Sequence, residues 1–305
     1  MQAASTLSTV HKIGSALLDA VTGAARWLRP HAEARPPAQR TVLDDITMRR
    51  PWNLRVKAAR LAARLRVSRL APGVTVVVVT WNTGDITLDV VAAVQRLSPP
   101  ATRLLVVDNG STDGTQATLR RLRGVDTMVL RSNAGHGVAL DLGVCAVRTR
   151  VAVTLDSDAL PLSTAWLDPA VMPVASGHAV LAGTRSRRDF VHPMYLAVDV
   201  ATFIRRELSF QVHRLPSSTP GAEGWGADTW DTGEWMSMQL DARDIVFVEK
   251  TANPVSGLKG MTVGGVVYHH GGISRNGGGA VADDALREWR ESCHALGLDT
   301  AVTHD

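Results

Sequence analysis

The chain has 305 residues, 45% of them hydrophobic, with a net charge of +4 and a pI near 9.5. That length admits one large domain, or one domain with an appendage, and the apolar content supplies a sizeable core. Its two cysteines, Cys145 and Cys293, lack metal-ligand spacing and argue against a disulfide framework, no run of about 18 apolar residues provides a membrane span, and no leader pattern opens the chain, so a cytosolic compartment is expected.

Leu17, Leu18, Val21, Ala24, Ala25 and Leu28 recur at helical spacing before Pro30, Pro36 and Pro37 break the pattern. A second helix is predicted from about residue 52 to 70, with Leu54, Ala58, Leu61 and Leu65 on one face and arginines on the others. The positive charge is concentrated here. No acidic residue occurs between Ile46 and Gly84, whereas Arg49, Arg50, Arg55, Lys57, Arg60, Arg64, Arg66 and Arg69 do. A basic amphipathic helix can lie on an anionic membrane surface, so peripheral contact through residues 46–70, at the inner face of the membrane, is one expectation. Packing onto the chain's own domain is the plainer one. Nucleic acid is not expected, because no aromatic interleaving or binding module accompanies the charge.

The composition changes at Ala71-Pro72-Gly73. Strand 74–80 (VTVVVVT) leads into Trp81-Asn82-Thr83-Gly84, and a helix over 86–97 ends at Ser98-Pro99-Pro100. Strand 104–107, helix 116–122, strand 127–130 and a helix around Val138, Leu142 and Cys145 follow in alternation. Next comes Val151-Ala-Val-Thr-Leu-Asp-Ser-Asp158, a β-branched run of the kind buried on both faces. Such alternation predicts an α/β fold, a mostly parallel Rossmann-like sheet with helices on both faces. Beyond it, strand 178–184, a mixed segment 195–206, a Gly/Pro/Ser-rich loop 216–230, a helix 231–240, short strands 244–249 and 265–268, and a last helix 282–296 are expected. The domains read as 1–73 (helical, arginine-rich), 74–275 (halves 74–162 and 163–275) and 276–305.

Parallel strands converge with their C-terminal ends on one edge. That edge gathers Thr80, Trp81 and Asn82, then Asp108–Asp113, then Asn133–Gly137 with Gly135 among them, then Asp156–Asp158. Asp108 could accept a hydrogen bond from a pyrimidine imide, and Gly135 permits close backbone approach. Asp156 and Asp158 would repel by roughly 3 kcal/mol at about 5 Å and an effective dielectric of about 20. A divalent cation relieves that cost, and oxygen ligands with open positions suit Mg²⁺ or Mn²⁺ carrying substrate phosphates. Alternatively one aspartate caps the following turn and the other faces solvent. The first turn, TWNTGD, is neither a dinucleotide fingerprint nor a phosphate loop.

The ordered set VTVVVVTWN, VVDNGSTDGT, SNAGHG and LDSD resembles the nucleotide-binding half of family 2 glycosyltransferases, which have the GT-A fold. The resemblance covers residues 74–162 well and loosens towards Ser274. It implies inverting transfer of a sugar from a UDP- or dTDP-linked donor to an acceptor hydroxyl, on a small molecule, a glycan or a lipid-linked carrier. By resemblance Asp108 would contact the base, Asp156 would sit near the ribose or behind the metal, and Asp158 would ligate the metal. A late histidine in an H-x-G-G-x-S context joins it in such families, which fits His269 in Tyr268-His269-His270-Gly271-Gly272-Ile273-Ser274. The acceptor's proton needs a carboxylate base. The family's usual Glu-Asp is replaced here by Asp231-Thr232-Gly233-Glu234; Asp231 is the first candidate, Glu234 the second and Asp228 a minor one. Asp231 with Glu234 three residues on is equally a capping-box pattern. Trp225 and Trp230 could wall the acceptor site. A sugar nucleotidyltransferase would want a Gly-rich basic loop after the first strand, which is missing, and a catalytically inactive nucleotide-sugar binder is the remaining alternative. Oligomeric state is not legible.

Overall fold

The computed structural model describes residues 42–212, 231–255, 257–273 and 283–298. The expected helix within residues 1–30 and the loop carrying Trp225, Asp228 and Trp230 lie outside the described residues. The chain divides into two compact units, residues 1–54 and 55–305. Helix α1 (Val42–Arg64) begins in the first unit and ends in the second, so residue 73 falls inside the larger unit.

In the second unit the expected alternation forms one sheet. β1 (Ala71–Thr80), α2 (Gly84–Leu97), β2 (Arg103–Asp108), α3 (Thr115–Leu119), β3 (Asp126–Val129), α4 (His136–Ala146) and β4 (Thr149–Asp156) follow in order. Then come β5 (Ala159–Pro161), α5 (Asp168–Ala175), β6 (Leu181–Arg185), β7 (Val191–Asp199) and α6 (Val200–Arg205). The chain continues through α7 (Glu234–Met238), β8 (Ile245–Val248), β9 (Lys250–Ala252), β10 (Met261–Val263), β11 (Val267–His269) and α8 (Asp283–Ala295).

The large sheet has the order β3-β2-β1-β4-β7-β6-β8. β1 pairs in parallel with both β2 and β4, and β7 runs antiparallel to both of its neighbours. Val76, Val77 and Val78 at its centre are fully buried, each worth about 1.5–3 kcal/mol of transfer out of water. The VVVV run is thus a strand covered on both faces: Val76 and Val78 share one apolar cluster with Val90, Val91 and Val94 of α2, and Val77 lies against Gly143 of α4. Val90, Val91 and Val94 of α2 are buried.

The chain leaves β1 for β2 and β3, then returns to β4 on β1's other flank. That reversal opens a crevice beyond the strand ends of β1 and β4, the place where open α/β sheets hold ligands. The mixed segment around 195–206 resolves into β7 followed by α6, with the Asp199 carboxylate capping α6 by accepting from the Thr202 N–H at 2.7 Å. A second sheet, β5-β11-β10-β9, is antiparallel throughout. Its strands are three residues each, too short for periodicity to reveal, and only β11 was approximately foreseen.

Candidate active site

The acidic turn and the late histidine meet because of the small sheet. β4 ends at Asp156, Ser157 and Asp158 turn the chain, and β5 starts at Ala159, which pairs in register with His269 of β11. The pairing continues past the strands: the His270 N–H donates to the Asp158 carbonyl at 3.0 Å. Side chains alternate along β11. Tyr268 and His270 therefore point away from His269, with the Tyr268 hydroxyl 2.9 Å from His270 Nδ1 and the His270 ring edge-on to Trp289. Of the two adjacent histidines, only His269 reaches the acidic turn.

His269 Nε2 lies 3.3 Å from Asp156 Oδ2 and 3.3 Å from Asp158 Oδ1. Asp156, Asp158 and His269 each offer one ligand atom, all within 4.8 Å of one another. On Asp156's other side, His136 Nε2 stands 3.5 Å from Oδ1. Burial would lower the His269 pKa, but the charge and hydrogen bonds of Asp158 and Asp156 outweigh it and push it up to about 10. Burial works to raise Asp156, yet hydrogen bonds from His136 and His269 hold its carboxyl well below the usual carboxylate range. Without an ion, a proton shared among these groups offsets the carboxylate repulsion. His269 Nδ1 is buried with no hydrogen-bond partner among the described residues, so the ring's hydrogen bonds there run to the two carboxylates alone. Two carboxylates and an imidazole aimed at one point fit a divalent cation, whose charge would take over the proton's role.

The cluster opens on a cavity of about 610 Å³ lined also by Thr80, Trp81, Asn109, Asn133, His136, His192 and Asp231. Asp231 stands in a tight turn before α7. Its N–H donates to Glu234 Oε2 at 2.8 Å, and the Thr232 N–H donates to Asp231 Oδ1 at 2.8 Å. Glu234 is 4% exposed and salt-bridged to Arg188 at 2.6 Å. Burial raises its pKa, against the pull of the Asp231 N–H and Arg188. The structure therefore puts Asp231 in the cavity wall and Glu234 behind it, as the brace of the turn. Gly233 permits the turn: its φ is +87°, and a Cβ there would lie 2.8 Å from the Val191 carbonyl of β7.

The predicted donor residues divide likewise. Trp81 and Asn133 line the cavity. Thr80 also borders it, but its hydroxyl is bonded to Thr83 and Thr87 at 2.9 and 2.7 Å. Asn82 staples the first two strand-end loops, donating its N–H to Ser111 Oγ at 2.9 Å and accepting from the Thr112 N–H at 2.8 Å. Asp108 is fully buried, with both oxygens facing the Ser111 N–H at 3.2 and 3.3 Å, and Asn109 beside it forms the cavity surface. Gly135 starts α4 at φ +89°, donating its N–H to Asn133 Oδ1 at 2.8 Å.

Two histidines in the cavity wall were not singled out from the sequence. His136 stood in plain view inside SNAGHG, one position from the chosen glycine. His192 carried no local signal, because β7 reaches the site only by pairing with β4. Its Nδ1 accepts from the Met194 N–H at 3.1 Å. Burial lowers its pKa to about 4, against the charges of Asp156 and Asp231. It is a neutral imidazole whose Nε2 carries the proton.

Residues 75–221 match the model of the family described as Glycosyl transferase family 2. No curated protein matches the chain. Among solved structures it is similar to a mannosyltransferase, PcManGT from Pyrobaculum calidifontis in complex with GDP-Man and Mn²⁺, at 17% identity over 69% of each chain with a TM-score of 0.46. It is also similar to S. aureus TarS 1-349 in complex with UDP, at 16% identity over 45% of this chain and 50% of that one, with a TM-score of 0.38.

Proposed function

We propose that this chain, a glycosyltransferase by the family 2 domain at residues 75–221, is a metal-dependent, inverting enzyme moving a sugar from a UDP- or dTDP-linked donor to an acceptor hydroxyl. The observation that carries the reading is the convergence of Asp156, Asp158 and His269 on one point in a cavity that Asp231 also lines. Asp158 and His269, with Asp156 beside them, would hold Mg²⁺ or Mn²⁺, which supplies positive charge against the donor diphosphate.

The chain's own residues account for the rest. Trp81, Asn109 and Asn133 border the donor end of the cavity, and Asp108, buried beneath Asn109, supports that floor by holding the Ser111 N–H. Asp231 has one oxygen engaged by the Thr232 N–H, leaving the other to take the acceptor hydroxyl's proton. As that proton moves to Asp231, the acceptor oxygen bonds to the anomeric carbon and the carbon–diphosphate bond breaks on the opposite face. Inversion follows from the single displacement. Neutral His192 offers an N–H in the same cavity without adding charge beside the base.

The test is donor turnover with Mg²⁺ or Mn²⁺, read by mass spectrometry over mixed sugar donors. Asp158→Ala is expected to abolish metal-stimulated turnover. Asp231→Asn is expected to leave donor binding nearly intact while turnover falls about 10²–10⁴-fold. If the folded protein binds UDP with metal yet never consumes a sugar donor, it is a binding protein and the proposal fails. Unchanged turnover in Asp231→Asn would move the base elsewhere.

A further inference from the structure

The basic helix resolves into two faces with different fates. Within residues 55–64, Val56, Arg60 and Ala63 are buried, at helical spacing along one side. Arg60 donates from Nη1 to the Phe203 carbonyl at 3.1 Å and from Nη2 to the Leu208 carbonyl at 2.8 Å, with its guanidinium 5.1 Å from the Phe203 ring centroid. Beyond the helix, Arg66 donates to the Cys145 carbonyl. Docking onto the sheet domain therefore uses Arg60 and Arg66 with small apolar contacts, and it does not use the leucines. Leu61 and Leu65 are 57% and 71% exposed. Lys57 and Arg64 share their face at i, i+4, i+7 and i+8 and are exposed too, as is Arg69 just beyond.

We propose that this outward face, Leu61 and Leu65 within a cationic collar, rests on an anionic lipid bilayer. Long basic side chains beside protruding leucines suit the boundary between headgroups and acyl chains: cations stay at the phosphates while the leucines leave water. The charge pattern selects the occupant. With no acidic residue between Ile46 and Gly84, the stretch itself carries no charge that repels a negative surface; Glu207 offsets Arg64 at 2.5 Å, and Lys57 and Arg69 are left to draw on the surface potential. The interaction is independent of the sugar-transfer reading, and it would hold the enzyme beside acceptors carried in the membrane.

Flotation of the full chain with vesicles tests it. The protein is expected to rise with phosphatidylglycerol–phosphatidylcholine vesicles at low salt, to be released at high salt, and to ignore pure phosphatidylcholine. Leu61→Ser/Leu65→Ser and Lys57→Glu/Arg69→Glu should each lower the partition coefficient by roughly tenfold or more, with thermal unfolding unchanged because all four side chains are exposed. Failure of the folded wild type to float overturns the proposal. So does flotation undiminished in Leu61→Ser/Leu65→Ser, which would assign binding to another segment. If that double variant abolishes self-association in sedimentation and leaves flotation untouched, the face is a contact between copies and the proposal fails.

Discussion

At His269 a proton and a metal ion compete for one imidazole. Its pKa in the fold is about 10, against about 6.5 for a histidine in water. A group raised in this way stabilises the fold fully below about 6.5 and loses that contribution as pH climbs towards the folded value. Metal-free wild type and His269→Gln should therefore differ most in melting temperature near pH 6, and the gap should close by about pH 10. A gap independent of pH would show that His269 serves packing alone. For the metal the sign reverses, since only the unprotonated ring binds it, so metal affinity rises with pH over the same window. Asp156 and Asp158 were legible from their triplet and its place at a strand end. His269 was legible only by resemblance, because nothing local separates it from His270; strand alternation in β11 makes that choice.

The turn Asp231–Glu234 shows how an element serves the site. Its sequence fitted both a catalytic acid and a capping arrangement, and the structure uses both, with Asp231 in the cavity and Glu234 bracing the turn on Arg188. Gly233 holds the turn against β7 at positive φ. Gly233→Ala should cost about 1–3 kcal/mol of stability, from left-handed strain and the close Val191 carbonyl. Because it would displace the Asp231 carboxylate, turnover should drop about 10–100-fold with donor affinity little changed. Wild-type turnover in a destabilised Gly233→Ala would separate the turn from the chemistry. The long strands and helices of residues 71–156 were readable because each is amphipathic or buried over many residues. Of the three-residue strands of the second sheet only β11 was approximately readable, because their stability comes from partners far away in the chain.

Across the larger unit, the appendage read from the sequence is in part a piece of the domain. Arg60 is 8% exposed. Burial raises the pKa of the fully buried Asp141, against hydrogen bonds from Ser209, Gln211 and the Phe210 N–H and, least, the charge of Arg60. Asp141 in turn accepts from Ser209 Oγ at 2.6 Å and the Phe210 N–H at 2.8 Å, holding the chain that follows α6. Arg60→Met should destabilise the protein by about 2–4 kcal/mol, since it strands two carbonyls and leaves a buried carboxylate less compensated. Equilibrium denaturation checks this; a loss below about 0.5 kcal/mol would mean that the helix contributes little to the fold.

The sequence alone determined the α/β alternation, the edge of the sheet where ligands gather and the acidic pair placed there. These follow from contiguous residues, because burial on two faces and turn chemistry leave their mark locally. Tertiary structure decided which histidine completes the cluster, that His136 and His192 enter the cavity wall, that Asp108 and Asn82 brace loops, and that the leucines of the basic helix face outward. Each of these depends on strand pairing or helix docking between segments distant in the chain, and no local pattern encodes the register of such contacts.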